Sequence, residues 1–258
     1  CLLHNPEYYL KDAHERSYGS TMPALAGLIT RAAMQRRGLT LKEISLVAVK
    51  NHTHGARNPY AHFQEPVTLE AVMESRVVAD PLRLYHCCPI SDGGAAIVLR
   101  AEKSRVRIAG IGQGMDTIAV RYRSDLTAFR ATQAAAEAAY RMAGFGAERV
   151  QLAELHDAFA PFELISHEDT GLVPSGKAGR ATLDGETAIG GRLPVNPSGG
   201  LKARGHPLAA TGISQLVELC WQLRGTAEGR QVPARVGLAQ SIGGLATNNW
   251  VTLVEAAR

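Results

Sequence analysis

Two histidines carry the clearest chemical signal in this sequence. His206 stands between the glycine-rich run NPSGGLKARG and HPLAATG, which opens a long apolar stretch closed by Gly225. Pro207 suits the first turn of a helix, where its missing N–H costs nothing. The positive end of such a helix favours neutral imidazole over imidazolium, and a neutral imidazole can take a proton. A lone histidine there more often caps its own helix. Glycines 199, 200 and 205, which permit positive φ and close backbone approach, argue for a base instead. His156 stands beside Asp157 in ELHDAF, where a strand gives way to a helix. Open α/β sheets bind ligands at that end of their strands. Asp157 itself is expected to cap the helix that follows.

A third loop joins these two in SIGGLATNN, residues 241–249. Gly243 and Gly244 can turn backbone N–H groups toward a substrate oxygen, as an oxyanion hole requires. Paired glycines after a serine also occur in ordinary turns. The expectation is that His156, His206 and Gly243 converge, with the two imidazoles close enough to share a bridging water. Other candidates fall away. His52, His54 and His62 match no standard zinc spacing and have no accompanying cysteine, so no metal is expected and a solvated or substrate-edge loop is. Ser241 lacks the GxSxG frame of a nucleophile elbow. GIGQG at 110–114 lacks the third glycine of a dinucleotide loop.

The elements that must position these residues can be read along the chain. Its 258 residues, 45% hydrophobic and 20% charged, suffice to bury a sizeable core. The net charge of +4 is spread along the chain with no basic stripe interleaved with aromatics, so no nucleic-acid partner is expected, while an anionic substrate is compatible. No apolar run reaches the length of a membrane span, and the first residues lack a signal-peptide pattern. The four cysteines, Cys1, Cys87, Cys88 and Cys220, form no CxxC pair and read as reduced thiols of a cytoplasmic protein, with Cys87, Cys88 and Cys220 packed as small hydrophobes.

Residues 1–20 read as polar and turn-rich. Thr21, Pro23 and Gly38 bound a helix over 21–38, and Leu41–Val49 continues as a helical hairpin. KNHTHGARNPYAHF reads as a loop, 67–78 as a helix and CCPISDGGAAIVLR as extended chain. Strands are expected near 105–111, 150–155, 235–241 and 248–254, sharing one sheet. An alanine-rich helix ends at Gly144, another begins in AFAPFELISHEDTGL, and the long helix after Pro207 carries Ile213, Leu216, Val217 and Cys220 on one face. Alternating strands and helices argue for an α/β sheet covered by helices.

Several of these stretches converge on one resemblance. NPSGGLKARGHPLAATG resembles the C-terminal signature of the thiolase superfamily. ELHDAF resembles the HDxF motif of the branch holding sterol-carrier-protein thiolases and archaeal-type acetyl-CoA acetyltransferases, where other thiolases carry NEAF. CCPISDGGAAIVL resembles the stretch closing that branch's N-terminal domain, and KNHTHGARNPYAHF its substrate-side loop. The resemblance runs along essentially the whole chain. It implies a five-layer α-β-α-β-α fold of two similar halves. Residues 1–84 would form a loop domain and a return into the N-terminal half, 85–104 the end of that half, and 105–258 a complete C-terminal half. With Cys1 in place of an initiating methionine, the expectation is an N-terminally truncated protein.

The activity implied is acyl transfer that joins or splits a carbon–carbon bond β to a thioester, in lipid metabolism. A coenzyme A thioester is the substrate, and no covalently bound cofactor is implied. By the motif match His206 would activate a nucleophilic cysteine. His156 would replace the asparagine that orients an oxyanion-hole water, the Gly243 N–H would bind the other thioester oxygen, and Ser198, Gly199 and Gly200 would contact substrate or coenzyme A. Two departures stand out. The nucleophilic cysteine belongs to an upstream motif that none of the four cysteines matches. Ser241 and Ala158 occupy the positions where relatives place the acid/base cysteine, in CIGG and HDCF. The chain alone is therefore expected to be inactive. Two other readings remain. One is a thiolase-like aldolase acting on a steroid-side-chain acyl-CoA, against which the two histidines argue, since tyrosines tend to stand there. The other is a non-catalytic acyl-CoA-binding or scaffold subunit. The family implies a homodimer or tetramer and a small OB-fold, zinc-ribbon partner protein.

Overall fold

The computed structural model describes residues 13–257. The expectations for Cys1 and the residues up to 12 lie outside them. From residue 13 the expected turn-rich start is instead a short helix, α1 (Ala13–Ser17). Thr21 then caps α2 (Met22–Arg37), its Oγ1 accepting from the Ala24 N–H at 3.3 Å, and Gly38 ends it at φ 68°. Thr40 and Glu43 form a reciprocal capping box that opens α3 (Leu41–Gly55).

The chain corrects the loop expected from Lys50 onward, because α3 runs through KNHTHG to Gly55. No apolar period marks that stretch, since its inward face is built of Asn51, His52 and His54, all buried, with Asn51 and His54 hydrogen-bonded to polar partners and His52 packed on Phe63 and Tyr85. The helix expected over 67–78 is also shorter. It is α4 (Leu69–Glu74), after which β1 (Val77–Ala79) pairs with β2 (Leu82–Arg83).

The four strands expected in the second half do share one sheet. They are β3 (Val106–Met115), β4 (Leu152–Glu154), β5 (Val236–Gly243) and β6 (Asn248–Ala256), in the order β3-β6-β5-β4. β6 lies antiparallel between β3 and β5, and β4 runs parallel to β5. One face packs on α5 (Arg130–Ala143), the alanine-rich helix closed by Gly144. Gly110, Gly112 and Gly114 lie against the backbone at Ala139, Ala135 and Ala131, leaving no room for a Cβ. The rejected dinucleotide loop is thus a strand whose alternate glycines admit a helix.

The opposite face packs on α9 (Thr211–Arg224), where Leu219 meets Gly237 and Leu152. α9 begins four residues after Pro207, and its inward face is not the expected one. Thr211, Gln215, Glu218, Leu219 and Gln222 are buried, whereas Ile213 is 39% exposed. The polar groups are matched inside: Gln215 donates to the carbonyls of Glu154 and Gln240, and Glu218 pairs with Arg230 at 3.0 Å. The remaining helices, α6 (Ala160–Asp169), α7 (Ala178–Leu183) and the single turn α8 (Gly200–Ala203), gather around α3. No helix of the described residues is long and apolar enough to cross a membrane.

Candidate active site

β4 ends at Glu154, and the next three residues are pinned one by one. The Leu155 N–H donates to Asn196 Oδ1 at 2.8 Å, and the His156 N–H donates to Gln240 Oε1 at 3.0 Å. Asp157 accepts from the Leu201 N–H at 2.6 Å, the Lys202 N–H at 3.3 Å and Asn51 Nδ2 at 2.7 Å. It therefore holds the first turn of α8. The expected cap of α6 is absent, since that helix starts after Phe159 with no side-chain cap. The reason is geometric: the glycine loop brings two donors to the carboxylate and α3 a third, Asn51, and α6 opens with Pro161 in its first turn.

The glycine-rich loop returns beneath β4. Gly199 and Gly200 take φ of 98° and 58°. A Cβ on Gly200 would come within 2.5 Å of Asp157 Oδ2, and one on Gly199 within 2.8 Å of the Gly55 Cα. Ser198 is buried and gives its N–H and hydroxyl to the Glu154 carboxylate. The structure places Ser198, Gly199 and Gly200 inside the protein as the parts that let this loop close.

The loop delivers His206 to His156, with ring centroids 5.1 Å apart at an interplanar angle of 87°. His206 Nδ1 lies 2.7 Å from Thr211 Oγ1, which is itself 3.4 Å from the Pro207 carbonyl. With the hydroxyl proton directed to that carbonyl, Nδ1–H donates to Thr211 and Nε2 keeps its lone pair, the form a base needs. Burial lowers His206 to about 4, and Asp157 opposes that shift. Burial also holds His156 well below the ordinary value, helped by His206, Arg204 and Lys202. Both rings are therefore neutral at pH 7.

Ser241 and Gly243 occupy the end of β5. Ser241 Oγ would lie 3.2 Å from a Cβ on Gly212 of α9, beside a groove of about 430 Å³ lined by Leu208, Ile213 and Trp250. Gly243 closes the strand opposite Asn248. Among the described residues no hydrogen bond joins Ser241 to either imidazole; the structure brings the histidines to each other, and β5 meets the His156 loop through Gln240, whose Oε1 accepts the His156 N–H.

Cys87, Cys88 and Cys220 are free thiols. Burial pushes Cys88 up to about 12 and raises Cys87 and Cys220 as well, which makes each a poor nucleophile. His54 uses both ring nitrogens inside the fold, with Nδ1 at 2.9 Å from the Asn196 carbonyl and Nε2 accepting from the Ile189 N–H at 3.1 Å. His52 stacks on Phe63. Both are buried helix residues, which corrects the solvated-loop reading for them.

Sequence reasoning missed the supports of the site. Asn51 bridges Asp157 and Glu163, Asn196 donates to Glu163 at 2.7 Å, and Lys50 pairs with Glu163 at 2.9 Å. An available signal was Glu163, the hub of this network, a carboxylate inside the apolar run APFELI.

A family model described as thiolase C-terminal domain-like matches residues 112–256. The chain is 46% identical over 238 residues to an acetyl-CoA acetyltransferase of Methanothermobacter thermautotrophicus, covering 89% of this chain and 62% of that protein. It is 38% identical over 234 residues to sterol carrier protein 2 of Bos taurus, covering 86% of this chain and 43% of that one. A solved structure described as an Ltp2-ChsH2(DUF35) aldolase superposes with a TM-score of 0.82 at 26% identity, covering 95% of this chain and 68% of that one. The chain thus spans less than two thirds of the length of these two sequence relatives.

Proposed function

This chain belongs to the thiolase family, in the branch of archaeal acetyl-CoA acetyltransferases and sterol carrier protein 2, and on that premise we propose that it forms the acyl-transfer part of a coenzyme A-dependent thiolase. The observation that carries this reading is the pair of neutral imidazoles set edge to face at 5.1 Å. His206 takes the proton of a nucleophilic thiol at Nε2. The thiolate attacks the thioester carbonyl, and coenzyme A leaves as a thiolate that recovers the proton. His156 holds a water against the developing oxyanion, and the Gly243 N–H serves the second thioester oxygen. Ser198, Gly199 and Gly200 act by shaping the loop beneath the coenzyme A site. The thiol comes from the part of a full-length thiolase that this chain does not span, because none of the four cysteines matches the family's upstream nucleophile motif.

The likeness to an aldolase supports a second reading, a lyase on a larger acyl-CoA that uses no thiol nucleophile. By the family resemblance, a small OB-fold, zinc-ribbon partner and a homodimeric or tetrameric assembly are proposed for either activity. A mere scaffold would have no use for two buried neutral imidazoles facing each other.

The test uses the chain extended to the length of its relatives. His206→Ala lowers the turnover of acetyl transfer between coenzyme A thioesters by about 10²–10⁴-fold while acyl-CoA binding stays. Full turnover in that variant, or cleavage of a β-hydroxyacyl-CoA with no acyl-enzyme on any thiol, overturns the transferase reading.

A further inference from the structure

Lys202 lies on α8, between the Ser198 clasp and His206, and is 1% exposed. Its Nζ donates to the His86 carbonyl at 2.6 Å and reaches that of Ala158 at 3.5 Å. These partners are main-chain carbonyls, not a carboxylate. Burying an ammonium without an ion pair is costly, and an apolar side chain would fill the space without that penalty. A charge kept there points to a use for it.

The two carbonyls belong to segments far apart in sequence. His86 ends the turn before Cys87 and Cys88, and Ala158 follows His156 and Asp157. The Cys88 N–H also donates to the Ala158 carbonyl at 2.9 Å, Cys87 bridges to Phe159, and Ile90 bridges to His206. Lys202 therefore sits at the seam where the 87–90 segment passes both histidine loops. The groups around it are the imidazoles of His52, His86, His156 and His206 and the thiols of Cys87 and Cys88. Its charge drives each of them toward the deprotonated form. Arg204 acts with it on His156 and His206, Arg83 on His86 and Arg76 on Cys87, while Asp157 opposes it at His52, Cys88 and His206.

We propose that Lys202 is a positioning residue for the histidine pair, locking the 86–88 segment to the His156 loop and setting a fixed positive charge beside the two imidazoles. That charge disfavours a second positive charge on either ring. It also favours the negative oxygen formed when a thioester carbonyl is attacked, an effect that rests on the acyl-transfer reading. The first effect does not rest on it.

The experiment is an NMR titration of the imidazoles in this chain, for the parent, Lys202→Met and Lys202→Arg. In K202M, His156 and His206 take up protons at higher pH than in the parent. His54 and His167, whose charged neighbours are Lys50 with Arg57 and Lys50 with Arg192, keep their titrations. K202R, which retains the charge, titrates like the parent. A merely structural lysine gives another pattern: His156 and His206 unmoved, all four histidines moving together, or K202R following K202M. Any of these overturns the proposal. Where K202M does not fold, Lys202→Gln keeps a donor for the His86 carbonyl and is read in the same way. In the parent, a neutral-amine ¹⁵Nζ signal for Lys202 at pH 7 overturns the proposal with no variant at all. Failure of the acyl-transfer reading appears instead as missing turnover in the extended chain and leaves these titrations untouched.

Discussion

Glu154 holds Ser198 through both carboxylate oxygens: Oε1 accepts the Ser198 N–H at 3.1 Å, and Oε2 accepts its hydroxyl at 2.7 Å. Arg204 Nη1 closes the same clasp, 3.1 Å from Oε2. His156 follows Glu154 by two residues, and His206 follows Arg204 by two. One buried carboxylate thus sets the spacing of the loops that carry the two imidazoles.

Removing that carboxylate strands its partners. Glu154→Ala takes the carboxylate from Arg204 and the acceptor from the Ser198 hydroxyl, leaving Arg204 Nη1 with Ser198 Oγ at 3.1 Å, and breaking a buried pair from one side costs roughly 3–5 kcal/mol. Glu154→Gln keeps an acceptor for Ser198 and is the milder change. Urea unfolding reads both, and an E154A midpoint equal to the parent's would remove Glu154 from the framework of the site.

Acid is expected to destabilise the chain in the range where unfolded histidines take up protons. His54, His86 and His167 are lowered to about 3 and His206 to about 4, with His52 and His156 also lowered, all chiefly by burial. Each binds a proton in the unfolded state below about 6.5 and not in the folded state until the folded value is reached. Their contribution is present above 6.5 and lost as pH falls. Glu154, raised to about 7, and Asp169, raised to about 6, have the opposite sign, because their folded forms hold protons that the unfolded chain has released. Six histidines outweigh these carboxyls, even with the raised Glu163 added to them. Stability should therefore fall from pH 7 to pH 5, by about 1.4 kcal/mol per unit for each uncompensated proton. A flat profile of unfolding free energy across that range contradicts the buried, neutral state of these rings.

Much of the scaffold was legible in the sequence because its signals are local. Thr21, Gly38, Gly144 and Gly225 mark helix ends by their own chemistry, and the apolar strand runs announce one sheet. The pairing of His156 with His206 was legible from two loop addresses and a motif. What stayed hidden depends on polar groups satisfied over long sequence distances. α3 passes Val49 because Asn51 meets Asp157 and His54 meets Asn196, separations of 106 and 142 residues that no local period encodes. The inward face of α9 was misjudged for the same reason, since Gln215, Glu218 and Gln222 read as solvent-facing until their partners are known.

The glycines of β3 give a sharp test of the α5 interface. A methyl on Gly112 would run into the Ala135 carbonyl and come within 2.7 Å of the Ala139 nitrogen. Backbone atoms cannot swing aside as a side-chain end can, so Gly112→Ala must separate helix from sheet. The cost expected is about 3 kcal/mol, at the upper end for overpacking. Gly144→Ala, at φ 73° with open space around it, is strained only through its own backbone and should cost about 1 kcal/mol. Thermal melts of the two variants should rank accordingly, and an equal or reversed ranking would mean that α5 does not lie flat on β3.

The last expectation concerns the aim of His206 more than its presence. Thr211 opens α9 and is the hydrogen-bond partner of His206 Nδ1, at 2.7 Å. Valine has the same branched shape but no oxygen, so Thr211→Val frees the ring to turn and to exchange tautomers without opening a cavity. A hydrogen bond of this kind is worth about 1–1.5 kcal/mol, and its loss in the transition state alone corresponds to roughly tenfold in rate. In the chain extended to the length of its relatives, T211V should lower kcat about tenfold with the KM for the acyl-CoA unchanged, since the imidazole orients a proton transfer and does not hold the substrate. The serine variant, which restores the oxygen, should recover most of the rate. A T211V enzyme with unaltered kcat would mean that His206 needs no orienting partner, and the tautomer assigned to it from Thr211 and Pro207 would have to be abandoned.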